Sequence, residues 1–204
     1  MKKGFTLVET LLIMGIIGVI AAMLIPALNN GIQEMEYKTA YKKAYSDISQ
    51  AFAQAIYDQS LTPRTALFDV VAADSEWNVL KSAFKVAKEC TTAQLYDCWV
   101  NADKVCTGTC AGNCPYSSYS FIDASGRSWA QYYYKMNIYL VDTNGFKPPN
   151  QFGKDRWMFV LQNSDGTTTV TGLPVKVGIY VEDQTGASVW CTYPPCYYKS
   201  WLYN

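Results

Sequence analysis

The side chains that most often carry acid–base and metal chemistry are scarce in this chain. It has 204 residues and no histidine, which excludes Ser-His-Asp triads, Cys-His pairs and histidine metal sites. Its 17 Lys and Arg balance its 17 Asp and Glu, so no net charge favours a nucleic-acid partner. We therefore predict that the protein is not an enzyme, and nothing in its charge indicates a nucleic-acid partner.

Cysteines are the other reactive groups, and the seven present are Cys90, Cys98, Cys106, Cys110, Cys114, Cys191 and Cys196. They favour an oxidising compartment, and their odd number leaves at least one thiol free, or paired outside the chain, if the rest are bridged. The last two close a short loop stiffened by two prolines and form the best local pair. The first five could supply two disulfides across an irregular loop. A four-thiolate zinc site is the alternative, but the C-x3-C-x3-C spacing lacks the usual C-x2-C, so we prefer disulfides.

The segment VDTNGFKPPNQFGKD, residues 141–155, is the one candidate ligand site in the sequence. Its oxygen-bearing side chains belong to Asp142, Asn144, Asn150 and Asp155, and calcium binds about six to eight such oxygens. The alternative is an Asn-Gly turn followed by Asx turns that tie down a long connection. Because the spacing is not that of an EF-hand loop, we favour the structural interpretation. We predict no other cofactor.

The elements that must position these groups begin with an apolar N-terminal segment. Lys2 and Lys3 precede residues 5–28, whose only ionisable side chain is that of Glu9. As a helix this segment would extend about 36 Å, against a bilayer hydrocarbon thickness of about 30 Å. The lysines favour a cytoplasmic N-terminus, which places the cysteines on the oxidising side. A secretory signal peptide is the alternative, but the apolar run is too long for one and contains an acid.

Glu9 is costly inside an apolar segment unless a cation pairs with it. If the chain is cut after Gly4, the new α-amine of Phe5 is mostly protonated at neutral pH. Within one helix this amine could meet Glu9 over the first turn. Between helices that are offset along their axes, it could meet Glu9 of another subunit. Such a pair makes both groups tolerable in an apolar core and fixes the register between identical helices.

The same residues carry a family resemblance. MKKGFTLVETLLIMGIIGVIAAMLIP resembles the class III signal sequence of type IV pilins and type II secretion pseudopilins, in its basic leader and in Gly4, Phe5, Glu9 and Pro26. The resemblance covers about the first 30 residues. It implies that a membrane prepilin peptidase cleaves between Gly4 and Phe5 and methylates the Phe5 amine. It also implies that Glu9 neutralises a neighbouring Phe5 amine during filament assembly.

The rest of the chain predicts an α+β, pilin-like fold. We expect one long helix from Phe5 to about Tyr57, loosened at Pro26, whose apolar half protrudes and whose amphipathic half covers an antiparallel sheet. The amphipathic stripe is expected to comprise Ile32, Met35, Tyr41, Ala44, Ile48, Phe52 and Ala55. A second helix is expected at 75–89, then a Cys-rich irregular loop, then strands at 119–124, 128–134, 136–142, 157–162, 167–171 and 175–181.

These elements divide the chain into four parts. The parts are a leader peptide (1–4), a transmembrane and filament-core helix (5–30), an amphipathic half-helix (31–58) and an exported globular domain (59–204). The aromatic clusters at 132–134 and 197–201 are expected to pack against the sheet.

The function expected from these features is that of a type IV pilin-like structural subunit. It would span the inner membrane once before assembly, with a cytoplasmic N-terminus, and then enter an extracellular pilus. Its partners would be copies of itself, related minor pilins, the prepilin peptidase, the inner-membrane assembly platform and, before assembly, membrane lipid. A pseudopilin in a periplasmic pseudopilus is the nearest alternative. A signal-anchored extracytoplasmic enzyme or binding domain is the alternative from another class.

Overall fold

The computed structural model describes residues 6–57, 73–90, 97–100, 119–132, 138–163, 175–188, 190–191 and 193–203. Gly4, Phe5, three cysteines (Cys106, Cys110 and Cys114) and the strand predicted at 167–171 lie outside the described residues. The chain divides into two compact units, Met1–Glu36 and Tyr37–Asn204. Each unit is described by itself.

Helix α1 spans Leu7–Tyr57 and begins at a capping box. The backbone N–H of Glu9 donates to the hydroxyl of Thr6 (3.3 Å), and the backbone N–H of Thr6 donates to the carboxylate of Glu9 (2.9 Å). These reciprocal bonds satisfy donors at a helix start that have no partner within the helix. Residues on both sides of Pro26 are helical, in agreement with one long first helix.

In the first unit, residues 7–36 are helical, and Thr6, which caps the helix, is the one described residue outside it. Its segment Leu7–Leu24 is long and apolar enough to cross a membrane, and none of it is buried within the protein. Ile32 and Met35, which the sequence assigned to the buried stripe, are 53% and 71% exposed. That assignment is wrong, because the described residues of this unit form a single helix with no second element to pack against.

In the second unit, the remaining part of α1 covers one face of the sheet as predicted. Tyr41, Ala44, Ile48 and Phe52 of this part are buried. The ring of Tyr41 stacks on Trp157 with 4.2 Å between centroids, and its hydroxyl donates to the carbonyl of Tyr198 (3.0 Å). The apolar stripe that packs therefore begins at Tyr41.

In the part of the chain that the structure describes, six strands form one antiparallel sheet in which each strand pairs with the next along the chain. The strands are β1 (Val86–Cys90), β2 (Ser120–Asp123), β3 (Ser128–Gln131), β4 (Ile138–Asp142), β5 (Arg156–Asn163) and β6 (Val175–Ile179). Together with the helices, this sheet confirms the predicted α+β class. Because Trp157 faces α1, its neighbour Arg156 lies on the opposite face of the sheet, where it too is buried.

The second helix is shorter than predicted, since α2 spans only Ala73–Ser82. Residues 86–90, predicted as its end, form β1, in which Cys90 pairs with Ser120 of β2. Lys, Ala and Glu in this stretch suit a helix, but pairing with a distant strand overrides their local preference.

The C-terminal aromatic cluster forms a third helix, α3 (Tyr198–Tyr203), that was not predicted. Its first turn is capped from outside the helix, because the carboxylate of Asp183 accepts hydrogen bonds from the backbone N–H groups of Lys199 (2.6 Å) and Ser200 (3.2 Å). Trp201 packs against Trp157 with 5.5 Å between ring centroids. The cluster thus packs on the sheet as expected, although its backbone conformation was missed.

Candidate functional site

Glu9 lies in the first turn of α1, within the membrane-length apolar segment. Its Oε2 atom accepts hydrogen bonds from both the backbone N–H (2.9 Å) and the hydroxyl (2.8 Å) of Thr6. Within the part of the chain that the structure describes, no cationic side chain pairs with this carboxylate. The acid is therefore hydrogen-bonded by its own helix but has no counter-charge there.

The surface that continues from Glu9 is apolar and uncovered. Its large side chains are 46–78% exposed: Leu7, Val8, Leu11, Leu12, Ile13, Met14, Ile16, Ile17, Val19, Ile20, Met23 and Leu24. A Cβ atom added at Gly15 or Gly18 would meet nothing within 4 Å, so another helix could approach closely at both positions. An apolar surface of this extent needs lipid or other apolar helices around it.

Gly4, Phe5 and Pro26 are the other residues that the sequence assigned to processing and assembly. Gly4 and Phe5 lie outside the described residues, and of Pro26 only the helical backbone is described. The pair between the Phe5 amine and Glu9 therefore stays a prediction.

Two of the four residues predicted as calcium ligands, Asp142 and Asn150, contact a cation that the sequence did not indicate, Arg156. Asp142 and Arg156 face each other across β4 and β5, with 2.8 Å between Oδ2 and Nε. The guanidinium also donates to Oδ1 of Asn150 (3.2 Å). Asp155 accepts hydrogen bonds from the backbone N–H groups of Asn150 and Gln151, both at 2.7 Å. Asp142, Asp155 and Arg156 are all at most 1% exposed.

Two glycines allow the loop between β4 and β5 to close over this cluster. Gly145 has φ +68°, and a Cβ atom there would lie 2.3 Å from the carbonyl oxygen of Gly126. Gly153 has φ +86°, and a Cβ atom there would lie 2.3 Å from Sγ of Cys196. The amide Nδ2 of Asn144 donates to the carbonyl of Pro148 (3.4 Å) within the loop. The loop therefore resembles the tied-down connection that the sequence offered as the alternative to a metal site.

Calcium binding at this loop stays a prediction, and Arg156 is a physical reason against it. A buried guanidinium already supplies the positive charge that the carboxylates need, and it would repel a second cation. No group of three or more acidic or cysteine side chains in the described ranges has the geometry of a metal site. The sequence did contain one signal for Arg156. Asp142 ends the strand predicted at 136–142, and Arg156 directly precedes the strand predicted at 157–162. Opposite charges at these positions suit a cross-strand pair.

Burial in this cluster raises the pKa values of both acids above their ordinary value. Burial raises the pKa of Asp142 to about 7, although the charge of Arg156 acts to lower it. Burial also raises the pKa of Asp155, against hydrogen bonds from the backbone of Gln151 and Asn150. Two carboxylates share one guanidinium, so the cluster takes up a proton more readily than isolated aspartates do.

We expect the free energy of unfolding to decrease as the pH rises from about 4 to about 7. The pKa of Asp142 is raised in the folded chain, so its contribution is fully present below the unfolded pKa and is lost as the pH passes the folded value. Denaturant midpoints of the full-length protein in detergent, measured at each pH, test this. Asp142→Asn should flatten the slope, and a wild-type slope in that variant would contradict the assignment.

The sequence also did not indicate a second buried carboxylate, that of Asp123. Its partner Arg127 contacts α1 as well, and so ties this helix to the turn between β2 and β3. Arg127 contacts Asp123 (2.8 Å) and Asp47 of α1 (2.7 Å). Burial acts to raise the pKa of Asp123, but hydrogen bonds from Ser125 and Trp129, together with the charge of Arg127, lower it below its ordinary value. Asp123 therefore titrates below the pH window discussed for Asp142.

Among the described residues of the second unit, two disulfides stabilise the fold. One joins Cys191 to Cys196, the pair that the sequence favours, and the other joins Cys90 to Cys98. Trp99, the residue after the second bridge, lies over the guanidinium of Arg156, with 4.8 Å from its carbon to the ring centroid. This disulfide thus holds a cover over the buried ion pair.

The described geometry combines an apolar helix able to anchor the chain in a membrane, or to act as a signal sequence, with a disulfide-bonded α+β domain. Glu9 is the only acid in the apolar segment Leu7–Leu24. Among the described residues it has a hydrogen-bond partner, Thr6, but no counter-charge. The chain matches no protein-family model, no curated protein and no solved structure.

Proposed function

We propose that this protein is a type IV pilin-like structural subunit. It is cleaved after Gly4, N-methylated at Phe5 and polymerised through α1 into a pilus filament. The observation that carries the proposal is the apolar segment Leu7–Leu24 of α1, of which nothing is buried and whose one acid, Glu9, lies in the first turn. Among the described residues, no element covers the apolar surface and no cation pairs with Glu9, and identical parallel helices can supply both.

Assembly exchanges lipid for protein around α1. Before assembly, the segment Leu7–Leu24 lies in the inner membrane, where lipid tails cover its side chains. In the filament, the same side chains pack against α1 of neighbouring copies, with close approach at Gly15 and Gly18. The Phe5 amine of one copy pairs with Glu9 of another, and this pair selects the register because an unpaired charge in an apolar core is costly.

The second unit suits the exported part of such a subunit. Its strands β3 and β4 are buried on both faces, and its disulfides Cys90–Cys98 and Cys191–Cys196 require an oxidising compartment. The proposal assigns no bond chemistry and no cofactor to it. Its partners are further copies, related minor pilins, the prepilin peptidase and the assembly platform of the inner membrane.

The chemistry of the mature N-terminus tests the proposal directly. Mass spectrometry of the protein purified from its native cells should find N-methyl-Phe at position 5. A chain that begins at Met1, or after a cut near Ala22, would contradict the proposal and favour a tethered or secreted domain. Gly4→Leu should keep the leader attached, because the peptidase site accepts a small residue there. Normal processing of that variant would contradict the assigned cut.

Electron microscopy and secretion assays separate the pilus from the pseudopilus. Surface filaments that disappear when the gene is deleted support the pilus. Loss of protein secretion on deletion, without surface filaments, supports the pseudopilin instead, which would use the same helix and the same charge pair.

A further inference from the structure

The capping box of α1 uses the Glu9 carboxylate unequally. Both hydrogen bonds from Thr6, from its backbone N–H and from its hydroxyl, go to Oε2. The other oxygen, Oε1, accepts no hydrogen bond from any residue that the structure describes. Thr6 therefore holds one side of the carboxylate and leaves the other side available.

We propose that Thr6 is a positioning residue for filament assembly, which fixes Glu9 so that Oε1 can accept the α-amine of a second copy of this chain. The inference rests on the function proposed above and concerns the same charge pair. Thr6 acts through Glu9 and does not itself contact the neighbouring amine.

The physical advantage is that the acid is ordered before the subunits meet. A free glutamate side chain loses rotamer freedom when it enters an interface, and this loss weakens association. In this chain the capping box has already restricted the side chain of Glu9 in the separate subunit. The restriction therefore adds little to the cost of forming the pair.

Thr6 and the incoming amine do not compete for the same position. A carboxylate has about four acceptor sites on its two oxygens, and Thr6 uses only Oε2. The amine can bind Oε1 while the cap stays intact. The hydroxyl is the part of Thr6 that a side-chain substitution can remove, since the backbone N–H remains in every variant.

Three variants of the full-length chain test this role in cells that assemble the filament. Thr6→Val keeps the shape of the side chain and removes the hydroxyl, whereas Thr6→Ser keeps the hydroxyl. Thr10→Val is the matched control, because the Thr10 hydroxyl donates only to the backbone carbonyl of Thr6 (3.2 Å) and does not contact Glu9. The measurement is filament protein per processed subunit, with processing quantified by mass spectrometry.

We expect Thr6→Val to lower this ratio about fivefold, which is the size of effect that loss of a capping hydroxyl produces. Thr6→Ser should restore most of the ratio, and Thr10→Val should stay close to the wild type. An unchanged or increased ratio in Thr6→Val would overturn the proposal. An equal loss in Thr10→Val would also overturn it, because it would show that any hydroxyl at this end of the helix serves packing.

Failure of this inference is distinguishable from failure of the proposed function. An unprocessed or differently cut wild-type chain would remove the pilin-like function itself. Methylated wild-type subunits that assemble normally, together with Thr6→Val subunits that assemble equally well, would remove only the role of Thr6.

Discussion

Glu9→Ala is expected to reduce filament yield about a hundredfold or more, while membrane insertion and cleavage after Gly4 stay intact. Removal of one partner from a buried ion pair costs about 3–5 kcal/mol, because the other charge stays buried without a partner. Each 1.4 kcal/mol corresponds to about a tenfold change in an equilibrium constant. In the proposed filament, the charge left behind is the Phe5 amine of the neighbouring subunit. Insertion is unaffected because alanine makes Leu7–Leu24 more apolar.

Three measurements on the same cells make this a sharp test. The first is the membrane fraction of the protein, the second is the mass of its N-terminus and the third is the mass of sheared filaments. Glu34→Ala is the matched control, since Glu34 is an exposed acid of α1 that lies outside the apolar segment. A normal filament yield from processed Glu9→Ala subunits would exclude the charge pair as the basis of assembly.

Arg156→Met is expected to lower the free energy of unfolding of the second unit by about 3–5 kcal/mol at neutral pH. The side chains of Arg156 and Asp142 are 0% and 1% exposed, so the substitution leaves a buried carboxylate without its counter-charge. It also removes the donors to Asn150 and to the carbonyl of Val100, and the cation that lies under Trp99. The loss should become smaller at low pH, because a protonated Asp142 no longer needs the guanidinium.

Denaturant unfolding of the full-length protein in detergent, followed by tryptophan fluorescence, measures this loss. Lys199→Met is the control, because Lys199 and Glu182 form an exposed ion pair that contributes little. The double variant Asp142→Leu with Arg156→Met should recover much of the loss, since apolar side chains can replace a buried ion pair. A change of less than about 1 kcal/mol in Arg156→Met would show that the ion pair does not stabilise the domain.

The elements that are determined by residues close together in the sequence could be predicted from the sequence alone. The apolar run and the amphipathic stripe that follows it predicted a long helix to about Tyr57, and α1 is helical up to this last described residue. The strands predicted at 119–124 and 128–134 correspond to β2 and β3, which pair as neighbours in the sheet. The capping box was also visible as Thr6 and Glu9 three residues apart, although it was not recognised. Each of these signals lies within one helical turn or one hairpin.

The sequence by itself determined that a membrane-length apolar helix carries a single acid, and that an α+β domain with cysteines follows it. Tertiary structure alone decided that residues 86–90 form a strand, that Asp183 caps α3 and that Arg156 pairs with Asp142, one of the predicted calcium ligands. The physical reason is that local propensity and periodicity act between near neighbours. The pairing of a strand edge or a buried charge is settled by whichever distant residue the fold brings within hydrogen-bonding distance.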